Sequence, residues 1–169
     1  MRTVSLLAIA VLVVTAGCSA PPAAEPTTDL SVSLSNEHDE PYRVTVAVVP
    51  DGFEAVEVTY ANGTTRRVDA TSLDSIPRSA LDGAVGFAPV GPGVESRVYD
   101  LEPGTGVGDT FPTVPRNATV VDVVGRPTAT DPTETLRSFG AANCGGSATV
   151  EFSLRIDPDG SLSSSNACR

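Results

Sequence analysis

Val150, Phe152, Leu154 and Ile156 alternate with Thr149, Glu151, Ser153 and Arg155. Successive side chains of a strand point to opposite faces, so this spacing builds one dry face and one wet face, which a helix of the same residues would not. The same period recurs in Leu30, Val32 and Leu34 against Ser31, Ser33 and Ser35, in Tyr42, Val44, Val46 and Val48 against Arg43, Thr45 and Ala47, and in Val56, Val58 and Tyr60 against Glu57 and Thr59. Residues 118–124 are apolar almost throughout and read as a central strand, while 84–89 and 95–101 read as weaker ones.

Turn residues punctuate these runs. Pro50-Asp51-Gly52 ends the second strand, and Asn62-Gly63 predicts a type I′ hairpin with residues 64–70 as the return strand. Asp157-Pro158-Asp159-Gly160 suits a type I turn with a bulge, after which 161–168 returns as a polar edge strand. Residues 71–81 are irregular or a short helical turn, and 102–115, rich in Gly and Pro, read as loop. A short helix is expected over 133–139, with Asp131 as its cap, Pro132 at its first position and Gly140 at its end.

Seven to nine short strands at spacings of about 10 residues predict an all-β fold, an antiparallel β-sandwich with one short helix. The opening pattern over residues 30–60, a strand, an acidic loop with Asn and Pro, then Tyr-x-Val-x-Val, resembles the immunoglobulin-like modules common in secreted haloarchaeal proteins. That resemblance implies an immunoglobulin-like sandwich occupying residues 29–169.

The N-terminus sets the compartment. Arg2 precedes an apolar run that is too short for a membrane span of about 20 residues but suits the apolar core of a secretory signal. Thr15-Ala16-Gly17-Cys18 resembles the lipobox of prokaryotic lipoproteins, although Thr15 stands where Leu is commonest. The resemblance implies a signal peptide over 1–17, removal of that segment, a lipid on the Cys18 thiol, and attachment to the extracytoplasmic face of the cell membrane. No twin-arginine pair is present, which favours the Sec route. The competing readings are a free or disulfide-bonded Cys18 after an ordinary signal, and an uncleaved signal anchor. Residues 18–28, with Pro21, Pro22 and Pro26, read as a flexible tether able to hold the domain up to about 30 Å from the bilayer.

The chain has three cysteines. If Ile156 lies opposite Ser161, Cys168 falls opposite residue 149, a few residues from Cys144 and the flexible Gly145-Gly146. A Cys144–Cys168 disulfide closing the terminal hairpin is expected in an oxidising compartment; the rival reading is a pair of free thiols, or a metal pair for which no further soft ligands are in sight.

Net charge is −10, with 21 acidic residues against 11 basic ones, every basic residue being Arg. A field of that sign repels phosphate backbones, so nucleic-acid and nucleotide partners are not expected. The Lys-free acidic composition resembles proteins of salt-loving archaea, in which concentrated salt screens self-repulsion. A merely acidic protein from a GC-rich genome, such as an actinobacterium, is the other reading.

Catalytic signatures are sparse. One histidine, His38, is too few for a cupredoxin copper site or a His-rich zinc site, and no Gly-x-Ser-x-Gly elbow accompanies it. Without Lys there is no Schiff base and no Walker lysine. Gly104-Thr105-Gly106-Val107-Gly108 lacks a strand-to-helix setting and reads as a flexible loop rather than a phosphate cradle. Glu37, His38, Asp39 and Glu40 are weak candidates for a divalent cation, since hard cations want converging carboxylates. Asn62-Gly63-Thr64 and Asn117-Ala118-Thr119 are sequons, making Asn62 and Asn117 glycosylation candidates.

The expected protein is therefore a lipid-anchored, non-enzymatic binding, structural or accessory module of the envelope. No cofactor is implied, and its partners beyond the membrane would be an envelope protein or glycan. The enzymatic alternative is a small secreted hydrolase using paired carboxylates, although spacing singles out no pair.

Overall fold

The computed structural model describes residues 26–50, 52–128 and 131–169, without the side chains of 127, 128 and 131–135. The signal segment, Cys18 and most of the tether lie outside the described residues. Among the described residues eleven strands follow in order: β1 (Thr27–Asn36), β2 (Tyr42–Val49), β3 (Ala55–Tyr60), β4 (Thr65–Asp69), β5 (Ala84–Val90), β6 (Glu95–Leu101), β7 (Gly106–Pro115), β8 (Thr119–Thr128), β9 (Asp131–Ala142), β10 (Thr149–Ile156) and β11 (Leu162–Cys168). The short helix α1 (Arg78–Leu81) lies between β4 and β5.

The strands form three sheets, ordered β11-β10-β1-β7, β6-β2-β8-β9 and β4-β3-β5. Strand β1 runs parallel to β10, pairing Val32 with Phe152 and Leu34 with Leu154, and the other pairings are antiparallel. The first two sheets make the expected sandwich, with Leu30, Leu34, Tyr42, Phe111, Phe152 and Ile156 among the fully buried side chains between them. The β3–β4–β5 sheet covers the other face of the middle sheet through a second core that includes Val49, Phe53, Val56, Val58 and Phe87.

The centre of the middle sheet, residues 46–49 of β2 and 120–124 of β8, is therefore dry on both faces. Along β2, Val44, Val46 and Val48 enter the first core while Ala47 and Val49 enter the second. Along β8, Val120 and Val124 face one way and Val121 and Val123 the other, which explains the continuous apolar run read as a central strand. Each buried Val contributes roughly 1.5–3 kcal/mol, so these two strands anchor both cores.

Three expectations are corrected. Residues 131–142 form strand β9 rather than a helix over 133–139. The register jumps from Val124 opposite Ser138 to Gly125 opposite Leu136, leaving Arg137 as a bulge. That bulge brings Leu136 and Phe139 onto one face, and both pack against the second core. The Asp131-Pro132 start and Gly140 end that suggested a helix thus bound part of a bulged strand instead.

Residues 102–115 are not all loop. A tight turn closes at Thr105, and β7 pairs with β1 from Gly106 onward and buries Phe111 and Val114. Gly106 belongs there because a Cβ would stand 3.0 Å from the Leu34 carbonyl oxygen.

The Asn62-Gly63 turn is not type I′, because Gly63 has a positive φ (79°) and Asn62 does not. The Gly63 N–H donates to the Tyr60 carbonyl and the Tyr60 N–H to the Thr64 carbonyl, a type I turn closed by a glycine bulge.

At the other end of the chain, the 157–160 turn is as expected, with Gly160 at φ 79°. The β10–β11 register starts with Ile156 opposite Leu162, and an irregularity between Glu151 and Thr149 brings Cys168 opposite Thr149. Cys144 and Cys168 are bonded, with Cα atoms 5.7 Å apart. Replacing both by Ser should lower stability by about 3–4 kcal/mol, the loop-entropy value for 24 residues. Denaturant unfolding at fixed salt measures this, and a loss below about 1 kcal/mol would mean that strand pairing alone holds the hairpin.

Candidate functional site

The acidic loop of residues 37–41 is organised by a residue the sequence did not single out. Asn36, 1% exposed at the end of β1, donates from Nδ2 to the Glu40 carbonyl (2.8 Å) and the Leu101 carbonyl (3.0 Å), and its Oδ1 accepts the His38 N–H (3.0 Å). The loop turns back on itself as a result. His38 Nδ1 accepts the Glu40 N–H (3.1 Å) and lies 3.1 Å from Asp39 Oδ1 and 3.8 Å from Glu40 Oε2. The His38 ring stands edge-on to Tyr42, with centroids 5.7 Å apart, beside Gly160 of the β10–β11 turn.

Of the four weak cation candidates, the fold brings together His38, Asp39 and Glu40, with ligand atoms within 4.8 Å of one another, and leaves exposed Glu37 out. Glu40 also pairs with Arg126. The cluster is thus already supplied with a cation, and its imidazole lone pair is already used by a backbone N–H. Across from it, hydrogen bonds from Ser161 hold the Asp159 carboxyl below its usual range, with His38 adding a smaller pull.

Strand direction sets the two ends of the sandwich. The 37–41, 102–105 and 157–161 loops cluster where β1 ends, joined by hydrogen bonds from Asn36 N–H to Thr105 and from Glu37 N–H to Ile156. The start of β1 lies with Arg116, Asn117 and Gly146, near the disulfide-bonded loop and Arg169, at the end opposite the acidic loops.

A third polar group closes one side of the sandwich. Arg97 of β6 donates to Asp109 Oδ2 (2.8 Å) and the Thr110 carbonyl (2.9 Å) of β7 and to Glu95 (2.7 Å), with its guanidinium 4.2 Å above the Phe111 ring. The Tyr99 hydroxyl donates to the same Asp109 oxygen (2.7 Å). Hydrogen bonds from Arg97 and then Tyr99 lower the Asp109 pKa to about 2. Burial and the bond to Asp109 raise Tyr99, and Asp109 and Glu95 raise Arg97.

Asp122 is the acidic residue inside the apolar run of β8, and it is 5% exposed. Burial raises its pKa, against a smaller opposing effect of its own backbone N–H. It sits opposite Gly140 of β9, where a Cβ would come within 2.7 Å of Asp122 Oδ1. Hydrophobic patterning alone would have found this residue, as the one break in a strand dry on both faces.

The outer face of the β11-β10-β1-β7 sheet is built from short hydroxyls. Register places Ser33 beside Ser153 and Ser153 beside Ser165, with Ser35, Arg155 and Ser163 in the next row. These rows line a shallow hollow of about 280 Å³, and the Ser153 and Ser165 hydroxyls share a 2.8 Å hydrogen bond.

The family model described as "Halobacterial Ig domain protein" matches residues 1–169. The chain belongs to this halobacterial Ig domain family. Membership decides between the two origins left open by composition in favour of the salt-loving archaea, and it agrees with the immunoglobulin-like sandwich. No curated protein matches the chain. Among solved structures it is similar to one titled "Trapped Toxin" (11% identity, 83% of this chain and 24% of that one, TM-score 0.39). It is also similar to the human-specific toxin intermedilysin (11%, 83% and 23%, TM-score 0.37) and to the type VI secretion lipoprotein TssJ1 of Pseudomonas aeruginosa (14%, 84% and 98%, TM-score 0.38). The chain spans about a quarter of the two toxins, and likeness at this level says nothing of what it binds.

Two predictions concern Asp122. Gly140→Ala should destabilise the domain by about 1–3 kcal/mol, and Asp122→Ser in the same chain should recover most of the loss. Additive losses in the double variant would show that the two positions are not in contact. Because burial raises the Asp122 pKa, the ionised form costs stability. That cost is absent below the unfolded carboxylate pKa of about 3.9 and grows as pH rises through the raised folded value. Asp122→Asn should therefore raise the melting midpoint at pH 7 and change it much less near pH 4. An equal shift at both values would mean that ionisation is irrelevant.

Proposed function

We propose that this protein is a lipid-anchored module of the outer face of the cell membrane, held by Cys18 and acting by binding rather than catalysis. The observation that carries the reading is the Cys144–Cys168 bond. It consumes two of the three cysteines and leaves Cys18, which follows an apolar run and the small pair Ala16-Gly17, as the thiol available for lipid. A disulfide also suits an exported chain.

The layout of the domain supports the same reading. A chain tethered through the start of β1 presents its acidic loops, with Glu37, Asp39, Glu102, Asp157 and Asp159, away from the membrane, where they meet no anionic headgroups. The serine rows on the outer sheet face are offered to the surroundings along the length of the sandwich. An envelope protein or a glycan is the class of partner we assign to these polar surfaces.

Expression in a halobacterial host tests attachment. The native chain should sediment with membranes, be released by detergent, and begin at a Cys18 that carries lipid mass. Cys18→Ser should lose that mass and leave the membrane fraction. A native chain found in the cytosol with Met1 in place would overturn the proposal. Pull-down from detergent-solubilised membranes in molar salt would then identify the partner.

A further inference from the structure

Of the two sequons, the structure separates one that is open from one that is locked. Ala61, Asn62, Gly63 and Thr64 are all exposed at the tip of the β3–β4 hairpin, and nothing lies within 4 Å of the place where a Cβ on Gly63 would stand. Asn62 Oδ1 accepts the Thr64 N–H (3.0 Å) and the Thr64 hydroxyl (2.7 Å). The two sequon side chains therefore already face each other, and among the described residues nothing accepts a hydrogen bond from Asn62 Nδ2. Drawing this tip into an enzyme's groove disturbs no core contact.

Asn117-Ala118-Thr119 is built differently. Ala118, its middle residue, is 1% exposed and belongs to the first core. Asn143 Nδ2 donates to the Asn117 carbonyl (3.1 Å) and to Thr119 Oγ1 (3.0 Å), which engages the hydroxyl the sequon requires. Asn143 adjoins Cys144, so the clamp is fixed by the disulfide. Thr119 also opens β8, paired with Val49. Presenting this segment in an extended form means opening the core and the middle sheet together.

We propose that Asn62 carries an N-linked glycan and that Asn117 stays bare. The proposal rests on the export part of the reading above, since the donor is a lipid-linked oligosaccharide phosphate handled outside the cytosol. In the transfer, Asn62 Nδ2 attacks the anomeric carbon of the donor sugar. The bond from that carbon to the phosphate oxygen breaks, the lipid phosphate leaves with the electron pair, and a base of the transferase takes the amide proton. No oxidant or reductant is needed. The glycan then stands beside β4, an edge strand whose solvent-facing backbone would otherwise accept another chain.

The test is intact-mass and glycopeptide analysis of the full chain purified from membranes of a halobacterial host, as wild type, Thr64→Val and Thr119→Val. The wild type should show one glycan, on the peptide that contains Asn62. Thr64→Val, which keeps the Asn-Gly turn and alters only an exposed hydroxyl, should lose it completely, and Asn62→Asp should behave alike. Thr119→Val should retain it. A chain processed to Cys18 with a bare Asn62, or with its glycan on Asn117, overturns this proposal and leaves the anchoring intact. A chain that keeps Met1 and carries no glycan overturns both.

Discussion

The middle sheet is the constraint on which the rest of the structure depends. Strands β2 and β8 pair directly, Val44 with Val124 and Val48 with Val120, and both of their faces are covered. Along residues 46–49 and 120–124 a polar side chain has no solvent to turn to, which is why the run from Val120 to Val124 admits one exception, whereas Arg43 and Thr45 at the start of β2 stay half-exposed. Each covering sheet needs only a single dry face, so the outer strands are free to carry serines and charges on the other. The alternation at β1 and β10 and the near-absence of alternation at β8 are two consequences of one layering.

The parts of the fold that the sequence made legible are those where burial and local spacing agree. β1, β3 and β10 show period 2 because each has one covered face, β2 because Arg43 and Thr45 in its first half stay half-exposed, and the Asp157-Pro158-Asp159-Gly160 turn shows because its glycine bulge needs a positive φ. The misread parts are those where a remote partner decides. Gly106 and Gly108 in β7 give no strand signal of their own, and pairing with β1 together with burial of Phe111 overrides their weak propensity. In β9 the Asp131-Pro132 and Gly140 signals suit a helix locally, and pairing with β8 overrides them. The three-sheet layering was also beyond reach, since nothing in the spacing of β3, β4 and β5 says which face of which sheet they cover.

The candidate sites divide along the same line. Cys144 and Cys168 were found because the hairpin register is a local count: Ile156 pairs with Leu162 rather than Ser161, and the one-residue irregularity near Thr149 cancels that offset, so Cys168 still falls opposite Thr149. Asn36 was missed because an asparagine at the end of a serine-rich strand looks solvent-exposed. Its role appears only when the carbonyls of Glu40 and Leu101 converge on it from two different segments. The acidic loop attracted attention as a run of charges, yet its geometry is set by this uncharged residue and by Arg126, distant in sequence.

Arg97 shows what a guanidinium offers that an ammonium does not. In concentrated salt the Debye length is about 3 Å at 1 M, so a lone ammonium near a carboxylate gains little. A guanidinium that donates several directed hydrogen bonds keeps its partners through geometry as well as charge. Arg97 does this at the open side of the sandwich, joining Glu95, Asp109 and the Thr110 carbonyl while covering Phe111, and no lysine has the donors to replace it there. The excess acid elsewhere is placed in loops and on outer faces, where salt screens it. Asp122 stands apart from that pattern, because salt does not reach it to screen its charge.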